Sequence, residues 1–112
     1  MHGGVWLINL DPTVGAEIQK TRPCVIVSDD TIGVLPLKVI APLTDFKERY
    51  GNVPWMVVVE PDKQNNLSKK SALDLFQVRC VSEERLVRKI GELDPETLQK
   101  IKPALKIVFG IK

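Results

Sequence analysis

Three polar side chains in the first 44 residues have the types needed to handle a phosphate: Glu17, Arg22 and Thr44. A guanidinium grips two phosphate oxygens with its planar fork and keeps its charge at any working pH. A threonine hydroxyl can donate to a third oxygen. A carboxylate held within reach of a hydroxyl can take its proton. Glu17 and Arg22 lie in residues 10–23, which separate two apolar runs, 5–10 and 24–27. Thr44 closes a second proline-marked stretch, Ala41-Pro42-Leu43-Thr44. Polar segments of this kind, slung between apolar runs, are where a rigid scaffold carries functional groups.

The rest of the composition restricts the chemistry. The chain has one histidine, His2, so one copy cannot build a two-histidine acid–base site. It has no Gly-rich phosphate loop opening a helix, which removes nucleotide hydrolysis, and no Ser or Cys with a base marked beside it. The two cysteines, Cys24 and Cys80, sit in apolar runs without CxxC or Cys/His spacing. They are expected to be buried free thiols, and no metal ligand or cofactor is expected. What remains is chemistry in which the substrate brings its own nucleophile. Cleavage of RNA through its 2′-hydroxyl fits: the protein orients the hydroxyl, relays its proton and neutralises charge on a pentacoordinate phosphorus. The same residues also have a plain structural account, with Arg22 opening a strand and pairing with Glu17, and Thr44 capping a turn. The pattern alone leaves both open.

The elements that must position these groups are short. Residues 5–10, 23–28, 37–41 and 55–60 are rich in β-branched and aromatic residues and bounded by Gly, Pro or Asp, so they read as strands. Asp11-Pro12 ends the first, Pro42 is expected to close the third, and residues 29–33 and 61–66 read as polar turns. Residues 43–54 show no period and are expected to form a long exposed loop. Residues 71–75 form a short extended piece, 77–81 alternate as a half-buried strand, 82–85 form a helical turn capped by Ser82, and 86–93 return as a last strand. Asp94-Pro95-Glu96 is a helix start. Leu98, Ile101, Leu105, Val108 and Phe109 make its apolar face, with Pro103 expected to bend or shift it. Strands without crossover helices predict a small antiparallel barrel with one C-terminal helix.

The 112 residues are one domain's worth, spanning 1–112. Residues 1–46 carry three cations against five anions, and residues 47–112 thirteen against nine, a distribution that permits an anionic partner. With no signal-like leader and no apolar run of about 18 residues, the expected location is cytoplasmic, with no membrane contact.

The order of motifs now resembles a known family. Val5-Trp6-Leu7, then Leu10-Asp11-Pro12-Thr13-Val14-Gly15-Ala16-Glu17, Lys20-Thr21-Arg22-Pro23 and Val25-Ile26-Val27-Ser28 are similar to the N-terminal signature of the MazF/PemK toxin endoribonucleases. Residues 39–44 resemble that family's second motif. Residues 67–71 with Gln77-Val78-Arg79 and Arg85-Leu86 resemble its third. The resemblance implies an SH3-like barrel acting as a homodimer. It implies a metal-independent endoribonuclease that cuts single-stranded RNA at short sequences, leaves a 2′,3′-cyclic phosphate, and is neutralised by a cognate antitoxin. It implies that Arg22 and Thr44 are the central catalytic pair with Glu17 beside them. Lys20, Thr21, Asp74, Gln77 and Arg79 would contact RNA or support its loops, and Tyr50, in a loop unusually charged for the family, offers an aromatic ring on which an unpaired base can stack. Phe76 stands where many members have an Asp before the Gln. Two other classes share the architecture: a non-catalytic toxin that poisons DNA gyrase, and an inactive RNA- or partner-binding barrel. Neither needs the Glu17, Arg22 and Thr44 set.

Overall fold

In the computed structural model, which describes residues 2–32 and 35–112, the apolar runs become strands that share their two faces between two cores. The order is β1 (Gly4–Asn9), β2 (Thr21–Ile26), β3 (Leu37–Asp45), β4 (Met56–Val59), β5 (Ser71–Asp74), β6 (Arg79–Ser82), β7 (Leu86–Glu92) and α1 (Pro95–Phe109). Short 3-10 turns lie at Asp30–Ile32, Glu48–Asn52, Leu75–Gln77 and Glu83–Arg85. Gly33, the last residue of one expected turn, lies outside the described residues.

All strand pairs are antiparallel, in the order β4-β5-β3-β2-β1-β7, with β6 also on β3. The result is a barrel-like sheet in which β4 and β7 are not joined. β3 is the hub. It pairs with β6 through Leu37–Ile40, with β2 up to Pro42, and with β5 from Leu43 onward. Val5, Val25, Ala41, Leu43, Leu73 and Leu75 fill one core, closed by Ile101 and Ala104 of α1. Ile8, Leu10, Cys24, Ile26, Ile40 and Val81 fill the second. Neighbouring residues of β2 therefore serve opposite cores, which is why its sequence is apolar without alternation. Each Val, Leu or Ile side chain among these contributes about 1.5–3 kcal/mol when fully buried.

Several expectations are corrected. β3 does not stop at Pro42; it runs on to Asp45. The proline falls where the strand changes partner from β2 to β5, a position at which a missing N–H is tolerated. Residues 43–54 are accordingly not one loop: they finish β3 and then form the 3-10 turn Glu48–Asn52. Gln77 belongs to a 3-10 turn rather than to the following strand. α1 runs without a break through Pro103. Pro103 and Gln99, whose carbonyl it leaves without an N–H donor, are both exposed, so water can satisfy the carbonyl. Phe109 stays outside the core. Cys24 is buried but Cys80 is exposed; both are free thiols.

Other local signals are realised as read. Asp94 caps α1 by accepting from the Thr97 N–H at 3.1 Å. Ser82 caps its turn by accepting from the Glu84 N–H at 3.3 Å. No helix of the described residues is long and apolar enough to cross a membrane.

Candidate active site

Arg22 is the second residue of β2, opposite Ile8 of β1. Thr44 is the last but one of β3, opposite Ala72 of β5. Counting on from the Cys24–Pro42 pair, Thr44 is level with Arg22, and where β3 leaves β2 for β5 the two side chains line one open groove of about 540 Å³. Arg22 does not pair with Glu17. Its Nε donates to the Gln19 carbonyl at 3.0 Å, and its Nη groups make no hydrogen bond among the described residues. Thr44 lies inside a strand rather than at a turn. The groove's rim adds two cations, Lys47 and Lys69, and the polar residues Asn66 and Ser68. Lys69 is held by Asp45 across 3.1 Å, both being exposed. Reading the sequence did not single out these rim residues. The lysine pair 69–70 and the third-motif stretch 67–71 were the available signals, but only the β3–β5 pairing shows that they face Arg22.

The remaining expected site residues divide. Glu17 lines a separate groove of about 430 Å³, with Val14, Phe76, Gln77 and Arg79, instead of the one that holds Arg22 and Thr44. Its carboxylate accepts from the Val14 N–H at 2.7 Å, and its own N–H donates to the Val14 carbonyl at 3.3 Å. The two bonds tie the turn at 14–17. Lys20 sits in the left-handed region (φ 72°) and donates its N–H to the Asp11 carboxylate at 3.0 Å, closing the loop's base. Thr21 pairs with Asn9 and is exposed. Tyr50 is half-buried in the 48–52 turn under the Arg49 guanidinium, 5.2 Å from its ring centre. None of these four lines the Arg22–Thr44 groove.

The third-motif residues face the first-motif loop. The Gln77 Oε1 accepts from the Ile18 N–H at 2.7 Å. Arg79 donates to the Leu10 carbonyl at 3.2 Å, and Arg85 donates to the carbonyls of Asn9 and Asp11. Asp74 is buried and caps the turn that carries Gln77, accepting from the Phe76 N–H at 3.0 Å. Burial pushes its carboxyl above the usual aspartate range, while hydrogen bonds from Phe76 and Gln77 pull the other way. Cys24 is pushed up to about 12 by burial, against the nearby charges of Arg22 and Arg79, so it is no thiolate nucleophile. Among the described residues no three His, Cys, Asp or Glu side chains are placed to share an ion.

Residues 1–109 match the family described as PemK-like, MazF-like toxin of type II toxin-antitoxin system. The chain belongs to this family. As a PemK/MazF-family member it is 31% identical over 112 residues to "Endoribonuclease EndoA" of Bacillus subtilis (strain 168), across 98% of this chain and 94% of that relative. Its fold is that of an endoribonuclease solved in complex with its cognate antitoxin from Mycobacterial species: TM-score 0.79, 21% identity, 100% of this chain and 96% of that one. It is likewise that of Mycobacterium tuberculosis toxin MazF-mt6, with TM-score 0.79 and 20% identity over 97% of this chain and 98% of the other. The matched lengths take in β2, β3 and residues 66–71, which line the PemK/MazF chain's groove.

Proposed function

We propose that this PemK/MazF-family toxin is a metal-independent endoribonuclease whose reaction takes place in the Arg22–Thr44 groove. The observation that carries the reading is the convergence of Arg22 and Thr44 in one open, lysine-rimmed groove. Single-stranded RNA lies in the groove with its scissile phosphate on the free Nη edge of Arg22. The 2′-oxygen forms a bond to phosphorus as the bond from phosphorus to the 5′-oxygen breaks. The products are a 2′,3′-cyclic phosphate and, once the leaving oxygen takes a proton, a 5′-hydroxyl. Arg22 and Thr44 bind the phosphoryl oxygens more strongly as their charge grows. Lys47 and Lys69 attract the adjoining backbone. Cutting messenger RNA in the cytoplasm would stop translation.

The reading includes two protein partners. One is a separate antitoxin chain, as in the mycobacterial relative's complex. The other is a second copy, for which α1 offers an apolar groove of about 650 Å³ lined by Leu98, Ile101, Leu105 and Phe109, the last 59% exposed. Light scattering should give a dimer at micromolar concentration.

The purified chain should cut single-stranded RNA in EDTA. Arg22→Ala should lower cutting by at least about 100-fold, the scale of losing one preorganised donor to a developing oxyanion. A variant that stays folded and cuts at the parent's rate would sink the assignment, and inhibition by EDTA would sink the metal-free step.

A further inference from the structure

Asp74, Gln77 and Arg79 were expected to contact RNA or to support its loops; Gln77, Arg79 and Arg85 hydrogen-bond to the protein's own backbone. Arg79 and Arg85 together hold three consecutive carbonyls, those of Asn9, Leu10 and Asp11. Topology places them there. Arg79 opens β6, and Arg85 directly precedes β7, whose Leu86 pairs with Ile8 of β1. Gln77 holds the far side of the same loop through the Ile18 N–H. Asp74 stands behind Gln77: it caps the Leu75–Gln77 turn by accepting from the Phe76 N–H at 3.0 Å, which fixes the backbone that carries Gln77. The next loop residue, Gln19, offers the carbonyl that receives the Arg22 Nε. One continuous chain of contacts therefore runs from Asp74 through Gln77 and residues 18–19 to the Arg22 guanidinium.

We infer that Gln77, Arg79 and Arg85, with Asp74 behind Gln77, are positioning residues: they clamp the 11–20 loop, and the loop aims Arg22. The role in catalysis rests on the endonuclease reading above; the clamp does not. A guanidinium must meet a phosphorane within a fraction of an ångström to be effective. A ten-residue loop with little core of its own supplies that precision only if it is tied at both ends. Each arginine ties through one nitrogen: the Arg85 Nη1 donates to the carbonyls of both Asn9 and Asp11, and the Arg79 Nη1 to that of Leu10. Their charge is directed at backbone dipoles, so they add little to RNA binding.

The test has two arms. Without RNA, hydrogen exchange of the Ile18 amide should quicken by about 10-fold in Gln77→Ala, the worth of one lost hydrogen bond. Unchanged exchange across residues 11–20 would overturn the clamp, whatever the protein does to RNA. With RNA, Gln77→Ala should lower kcat by about 10- to 100-fold while KM stays within about 3-fold. Arg85→Ala should likewise lower kcat and should leave the salt dependence of RNA binding unchanged. An Arg85→Ala protein that binds RNA more weakly and with a flatter salt dependence would make Arg85 a phosphate contact and refute the proposal. A changed cleavage sequence with kcat kept in Gln77→Ala would make Gln77 a base reader and refute it equally. If the parent itself fails to cut RNA, the enzyme reading falls while the exchange arm still decides the clamp.

Discussion

A carboxylate oxygen that already accepts a backbone N–H at 2.7 Å, as Glu17 does from Val14, is engaged in holding its own turn. Glutamine keeps a carbonyl acceptor of the same length and removes the base. Glu17→Gln should therefore keep the loop and retain cutting within about 10-fold, whereas loss of a general base would lower the rate by about 100- to 10,000-fold; single-turnover cleavage rates separate the two. Asp74 yields a second prediction. Its carboxyl is raised above the ordinary aspartate range by burial, so the folded state holds that proton more tightly than the unfolded chain. The sign follows from linkage. The contribution is complete below about pH 4, where an unfolded aspartate is itself protonated. It is lost as pH rises through the folded pKa. Relative to Asp74→Asn, the parent should thus lose stability as pH climbs through the mildly acidic range and then level off. Urea midpoints of both proteins across that range would show it, and a difference that grows with pH would mean that the hydrogen bonds outweigh burial.

The elements show what was legible in the sequence and what was not. Local signals were: Asp94-Pro95 starts α1, Ser82 caps its turn, and β1, apolar on both faces up to Asn9, lies between two strands. These depend on residues within four positions of one another. Most of the misreadings depended on distant partners; the turn at Gln77, capped by Asp74, is the local exception. Pro42 looked like a strand end because nothing nearby reveals that β3 changes neighbours there. Cys80 looked buried because its run is apolar, yet β6 turns it outward. Arg22 and Thr44 could be named from motifs, but Lys47 and Lys69 join them only through the β3–β5 register. The effect of Pro103 depends on which way the helix faces. It lies inside a continuous α1 on an exposed position, where it still removes one helical hydrogen bond. Alanine restores that bond without touching the core. Pro103→Ala should raise unfolding stability by about 1–3 kcal/mol, given proline's penalty of about 3 kcal/mol in a helix interior, and leave cutting unchanged. A denaturant midpoint equal to the parent's would mean that the helix has already adjusted to the proline.

At the scale of the whole molecule the question is which of its cations meet RNA. The chain is nearly balanced, with a formal charge of +2, so affinity for an anionic strand must come from where its cations sit. Arg79 and Arg85 hold backbone carbonyls. Lys38 is buried and paired with Glu83 at 3.1 Å, and Lys89 is paired with Glu92 at 2.7 Å. In the groove stand Arg22, Lys47 and Lys69. Each phosphate neutralised on a single strand contributes about −0.7 to the slope of log K against log salt. Three contacts per groove predict a slope of about −2; counting the two clamp arginines as well would make it about −3.5. Binding of a short RNA to Arg22→Lys, a variant that keeps the groove's charge but loses the fork and so slows cutting, measured between about 50 and 300 mM salt at constant pH, decides between these values. Removing Lys69 should make the slope shallower by about 0.7. That change should be reduced to the extent that Asp45, which holds Lys69 across 3.1 Å, competes with the phosphate. Lys69→Ala in an Asp45→Asn background should therefore show the larger loss of affinity relative to its own parent. No loss in either background would place Lys69 away from the strand, whereas equal losses in both would mean that Asp45 does not compete with the phosphate.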